Sequence, residues 1–108
     1  MLNDGVPSTS NQQNTYSVYQ GFYENGDVRY VGITKRNPQV RFNEHLKSSS
    51  NRSELDYAIK AKGLSKHQAR TMEQLIINKY GLQKNGGQLY NKINSISPSK
   101  WHQYGIKR

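Results

Sequence analysis

A small α+β domain is what this chain of 108 residues predicts. Three features lead there. Two β-branched, aromatic stretches flank an Asn-Gly step near the start, which reads as a β-hairpin. Three stretches with helical apolar spacing and capping signals follow. A last short apolar run then reads as a strand. Hairpin, helices and late strand in that order describe an α+β arrangement rather than alternating β-α-β units.

Each element has a local cause. Residues 1–15 read as a flexible tether, because Pro7-Ser8-Thr9-Ser10-Asn11-Gln12-Gln13-Asn14 is polar and low in complexity. The folded domain is expected over residues 16–108. Tyr16–Tyr23 and Val28–Thr34 are the hairpin strands. With Asn25 and Gly26 as a two-residue loop, Tyr23 faces Val28, Gly21 faces Tyr30 and Tyr19 faces Gly32. Tyr19 and Tyr30 then share one sheet face, while Val18, Phe22, Val31 and Ile33 share the other, the expected core face.

Asn37-Pro38 is an N-cap with proline at the first helical position, opening a helix to about Lys47. Phe42 and Leu46 form its apolar pair, and Arg41 and His45 form a second pair on an adjoining face. After a Ser-rich loop, Ser53 is expected to start a short helix with Leu55, Ala58 and Ile59 inward and Gly63 at its end. Ser65 and Gln68 make a capping box for the clearest helix, which runs to Tyr80 with Gly81 as its stop. Gly86-Gly87 is a turn, Leu89–Ile93 the late strand, and Ser97-Pro98 opens a final turn holding Trp101 and Tyr104.

Charge narrows the partners. Sixteen Lys and Arg against seven Asp and Glu leave a net charge of +9. All the Lys and Arg lie after residue 27, so most of the domain projects a positive field that favours a polyanion. The absence of Cys excludes disulfides, thiolate metal sites and a Cys nucleophile. No apolar run is long enough for a membrane span, and the first residues lack the pattern of a signal peptide.

Glu73 is the most informative residue. It lies four after Ala69 and three before Ile76, within the apolar stripe of its helix. A buried carboxylate is costly unless paired or bound to a cation. Two readings follow: a salt bridge to a core-facing Arg, or a ligand for a hard cation such as Mg²⁺, which takes one or two protein carboxylates and keeps several waters. Asn91, polar within Leu89-Tyr90-Asn91-Lys92-Ile93, reads either as a backbone-bonding residue or as part of the same site.

These residues together resemble the GIY-YIG nuclease superfamily. Ser17-Val18-Tyr19 and Tyr30-Val31-Gly32 are similar to its paired motifs, with Ser17 where the family has Gly. Arg41 and His45 match the family's helical Arg and His, Glu73 its metal-binding Glu, and Asn91 its late Asn. The resemblance spans about Tyr16 to Ile96. It implies a three-stranded antiparallel sheet, here the hairpin plus the late strand, flanked by helices. It also implies metal-assisted hydrolysis of a phosphodiester. Glu73 then holds one Mg²⁺, or Mn²⁺ in its place, and Arg41 neutralises charge on the phosphate. Tyr19 or Tyr30 positions or deprotonates the water, for which nearby cations must lower a pKa of about 10. His45 relays a proton, and Asn91 orients a water or Glu73. Lys35, Arg36 and Lys47, beside the first helix, are the candidate nucleic-acid contacts.

The tract from Ala69 to Pro98 further resembles the C-terminal toxin domains of bacterial polymorphic toxins, of the contact-dependent inhibition and Rhs kinds. That resemblance implies delivery within a larger secreted effector, action in the target-cell cytoplasm, and a cognate acidic immunity protein. DNA stands ahead of RNA as substrate. A repair or mobile-element nuclease and a non-catalytic nucleic-acid-binding module are the alternatives.

Overall fold

The computed structural model describes residues 15–107. Residues 1–14 of the expected tether, and Arg108, lie outside the described residues. Strands β1 (Tyr16–Phe22) and β2 (Val28–Thr34) form an antiparallel hairpin. Its register holds Tyr19 opposite Gly32 and Gly21 opposite Tyr30, as the Asn-Gly step predicts.

Closer to the turn the register differs. Phe22, not Tyr23, meets Val28, across an irregularity after Gly21. Gly26 N donates to Tyr23 O at 2.8 Å and Tyr23 N donates to Asp27 O at 3.0 Å. The loop therefore has three residues, with Gly26 at φ +93° closing it.

Helix α1 (Pro38–Leu46) starts as expected, with the Asn37 side chain accepting from Gln39 N. Its inward residues are Phe42 and His45, whereas Leu46 is exposed. The expected Phe42/Leu46 pair is thus replaced by an aromatic and an imidazole.

The expected short helix after Ser53 does not form. A 3₁₀ turn (Asn51–Glu54) leads into strand β3 (Asp56–Leu64), which pairs antiparallel with β1. The sheet order is β2-β1-β3. Ala58-Ile59-Lys60-Ala61-Lys62 suits a helix locally, but β1 has a second edge whose backbone groups must be paired. A slot above Gly21 also receives the Tyr57 ring, in a place that a Cβ would occupy. The pairing overrides the local preference. Lys60 and Lys62 then lie on an edge strand, where charged side chains discourage further pairing.

The sheet is three-stranded and antiparallel, but its third strand is β3 and not Leu89–Ile93. That late segment reaches the β2 edge differently. Tyr90 N donates to Arg29 O at 2.5 Å. Asn91 then uses its side chain as a strand would use its backbone: Oδ1 accepts from Val31 N at 3.0 Å, and Nδ2 donates to Val31 O at 2.8 Å.

Helix α2 (Lys66–Tyr80) carries the expected capping box at Ser65 and Gln68, and Gly81 caps its end at φ +81°. It covers one sheet face. Val18 and Val31 pack there with Ala69, Ile76, Ile77, Leu82 and Leu89. The opposite face is aromatic: Tyr19 and Tyr30 pack with Phe42 of α1 and with Leu55. A 3₁₀ segment (Pro98–Tyr104) supplies the expected final turn. Among the described residues no helix is long and apolar enough to cross a membrane.

Candidate active site

Tyr19 leans over its cross-strand partner Gly32, where only the missing side chain leaves room for its ring. That tilt sends its hydroxyl to His45 Nε2 at 2.8 Å. His45 stacks on Tyr57, with ring centroids 5.0 Å apart, and meets the edge of Tyr30 at 5.1 Å. Tyr19 and Tyr30 are 6.2 Å apart. Three tyrosines, one from each strand, therefore enclose one imidazole from α1.

Burial sets the proton positions. It pushes the Tyr19 hydroxyl above the usual tyrosine range, with Tyr30 adding to the rise and Arg41 opposing it. It pushes His45 down to about 4, and the charges of Arg41 and Arg52 act in the same direction. At neutral pH the pair is therefore neutral. Tyr19 donates its proton to the bond, and Nε2 of His45 accepts it.

Arg41 flanks this cluster. Its Nη1 donates to Glu44 Oε1 at 2.8 Å. Arg36 grips the same carboxylate at 2.9 and 3.2 Å. Two guanidinium groups hold Glu44 down at about 2.

On the other side of Tyr30 a cleft of about 590 Å³ opens between α2 and residues 91–95. Glu73 lines it with Arg52, Lys66, Arg70 and Lys92. Burial pushes the Glu73 carboxyl up, while Ser95 and the charge of Arg70 pull it down. Arg70, the natural candidate for a buried salt bridge, instead donates to Ser95 O at 2.5 Å. Among the described residues no ion pair reaches Glu73. The guanidinium of Arg52 lies over the Tyr30 ring, 4.8 Å from its centroid.

The six core candidates thus form two groups sharing one residue. Tyr19, Tyr30, Arg41 and His45 make the aromatic cluster. Tyr30, Glu73 and Asn91 border the cleft. Asn91 is there with both polar side-chain atoms already bonded to Val31. Lys35, Arg36 and Lys47 do not line the cleft. Lys35 lies over the Tyr16 ring, Arg36 is committed to Glu44, and Lys47 caps α1. The cleft's cations are Arg52, Lys66, Arg70 and Lys92, none of which the sequence reading singled out. Three of the lining residues had a visible signal: Lys66, Arg70 and Glu73 are spaced four and three apart, along one helix face.

Glu73 suits a divalent cation. It is a hard-oxygen donor, half-buried and without an ion pair among the described residues, beside the oxygen-bearing side chains of Asn94 and Ser95. No group of three or more His, Cys, Asp or Glu gathers among the described residues, so any metal here would rest on one carboxylate, water and substrate oxygens. Four cations around such a carboxylate also match a phosphate ester.

These features define an α+β domain with a cationic, carboxylate-bearing cleft. The family model of the GIY-YIG catalytic domain matches residues 15–86, two thirds of the chain, and the chain belongs to that family. This is a nuclease family, with endonuclease hydrolase activity on nucleic acid and a general dependence on a divalent metal. No curated protein and no solved structure matches the chain significantly. The matched span contains both tyrosines, Arg41, His45 and Glu73, whereas the cleft wall at residues 91–95 lies beyond it.

Proposed function

We propose that this domain is a metal-dependent endonuclease that hydrolyses DNA ahead of RNA, and that it is the toxic part of a larger bacterial effector. It would act in the target-cell cytoplasm and be neutralised in its producer by an acidic immunity protein. The observation carrying the nuclease reading is the Glu73 carboxylate, half-buried in a cationic cleft that it shares with Tyr30 and in no ion pair among the described residues. The toxin reading rests on the resemblance of residues 69–98.

Arg52, Lys66, Arg70 and Lys92 attract and seat the phosphate backbone. Glu73 would hold the Mg²⁺ or Mn²⁺, which as a Lewis acid supplies charge stabilisation at the phosphate and the leaving oxygen. Water attacks phosphorus, its oxygen forming the new P–O bond as the bond to the 3′ oxygen breaks; the water gives up its proton to solvent and the 3′ oxygen takes one from solvent. Tyr30 is the cluster residue at the cleft, so it orients that water. Tyr19 stays protonated on His45 and fixes the Tyr30 side of the cluster as a positioning residue. His45, pushed down to about 4, is a weak base and serves as the acceptor that fixes Tyr19. Arg41 and Arg52 flank Tyr30 and offset charge growing on the phosphate. Asn91 positions the wall through Val31.

Cleavage of supercoiled plasmid and of RNA, with Mg²⁺, Mn²⁺ or chelator, tests the reading. Glu73→Gln is expected to lower the rate about 10³-fold, since Lewis-acid help is worth several kcal/mol. Its metal-free melting temperature should stay level or rise slightly. Retained cleavage with a large drop in melting temperature would return Glu73 to a structural role. Expression in a bacterium should be toxic, with relief by Arg41→Ala and by the product of the neighbouring reading frame. Unrelieved toxicity on that co-expression counts against the immunity partner.

A further inference from the structure

We propose that the cleft continues over the start of α2 onto a stacking platform, His67 on Tyr104, and that this platform takes one unpaired nucleobase beside the reacting phosphate. The proposal rests on the nuclease reading for the identity of the ligand, and it specifies the substrate class as single-stranded or locally unpaired nucleic acid.

The rings of His67 and Tyr104 stack with centroids 4.5 Å apart and planes 10° from parallel. They border a second cavity, of about 370 Å³, whose other lining residues are Lys66 and Arg70. The same two cations line the Glu73 cleft. A phosphate backbone held by Lys66 and Arg70 therefore has the carboxylate cleft on one side and the aromatic pair on the other. Lys66 and Arg70 stand one helical turn apart, about 6 Å along the axis, so they form a short track rather than a single point.

This stack differs from the aromatic core around His45. His67 is exposed, on the first turn of α2, and Tyr104 ends the 3₁₀ segment at the surface. Cations next to an accessible aromatic face match the two parts of a nucleotide, its phosphate and its base. A paired base stacks within its own helix and cannot lie on a side chain, whereas an unpaired base can. Tyr104 also belongs to the C-terminal segment, the part of the chain that builds the cleft wall. Substrate choice would thus reside outside the residues that surround Tyr19 and His45.

Binding separates this proposal from the catalytic reading. The wild-type chain, kept from cleaving by chelator, is titrated with a fluorescent 12-nucleotide single strand and with the duplex of the same sequence, each as DNA and as RNA. The single strand is expected to bind more tightly at equal salt. His67→Ala and Tyr104→Ala should each weaken single-strand binding about tenfold, and duplex binding by less than twofold, while Tyr104→Phe keeps the affinity. Equal losses on both substrates, or no loss from His67→Ala in a protein with an unchanged melting temperature, overturns the platform. The DNA and RNA arms identify the sugar. A chain that shows this binding pattern but cuts nothing with Mg²⁺ or Mn²⁺ loses the nuclease reading and keeps the platform. A chain that cuts duplexes without regard to His67 and Tyr104 does the reverse.

Discussion

The two faces of the sheet are packed by different chemistry. Against α2 the core is aliphatic, with Val18, Val31, Ile77 and Leu89 almost wholly withdrawn from water. Against α1 it is aromatic and polar, with a Tyr hydroxyl bonded to an imidazole inside it. The aliphatic cluster gains its stability from area and close packing, and none of its buried residues is ionisable. The aromatic face must keep two titratable groups neutral and aligned, so its stability depends on proton concentration. The aliphatic cluster and the hydrogen-bonded tyrosine–imidazole pair thus lie on opposite sides of three strands.

Leu89→Ala should cost the most, about 2–5 kcal/mol, because a fully buried Leu leaves a cavity. Urea denaturation at pH 7 and at pH 5 should give the same cost, since nothing nearby in that cluster titrates. A cost that changed with pH would break the division between the faces.

The aromatic face should respond oppositely. Folded, His45 stays neutral down to about 4, while unfolded it takes a proton at about 6.5. The unfolded chain therefore binds more protons between those values, and stability falls as pH drops from 6.5 toward 4. At about 1.4 kcal/mol per pH unit, the loss attributable to His45 is at most roughly 3 kcal/mol. His45→Gln, which can still accept from Tyr19, should flatten that part of the pH profile. Glu44 adds its own loss only below about pH 4.5, as pH falls from its ordinary value toward the lowered pKa of about 2, so the His45 part is read above pH 4.5.

Gly32→Ala tests the slot that aligns the pair. A methyl there meets the Tyr19 ring, which is buried and cannot swing away. Overpacking should cost about 1–3 kcal/mol, and the His45 titration followed by NMR should move toward its ordinary value as the Tyr19 bond loosens. Asn91→Ala is expected to cost least, about 1–2 kcal/mol, for two hydrogen bonds to Val31. Faster amide exchange at Val31 would report the freed edge.

What could be read from the sequence was mostly local. Asn37-Pro38, the Ser65 capping box and Gly81 mark their helix ends through neighbouring residues, so their positions were readable. The Asn-Gly step placed Tyr19 and Tyr30 on one face despite the extra loop residue, because the irregularity lies beyond both. Glu73 stood out as a charge within an apolar stripe. Strand β3 was not readable, since Tyr57 finds its place only once Gly21 of a distant strand is beside it. Leu89–Ile93 looked like a strand because of its apolar run, whereas it is the Asn91 side chain that bonds the β2 backbone, one of the two readings open for that residue. Arg52 and Lys92 sit in segments without periodicity, and only the folded chain brings them to the cleft.

Where it meets Gln74, Trp101 and Arg70, the end of the cleft wall is fastened by its main chain. Gln74, fully buried on α2, accepts from Ile96 N at 2.9 Å, Trp101 Nε1 donates to Ile96 O at 2.7 Å, and Arg70 donates to Ser95 O. A grip on peptide groups is blind to which side chains the segment carries. Lys92 and Ile93, exposed on that wall, can drift over generations without loosening the latch that holds them. New substrate preferences can therefore be sampled at little risk to folding, and a lineage can change its target while the machinery behind Tyr30 is inherited intact.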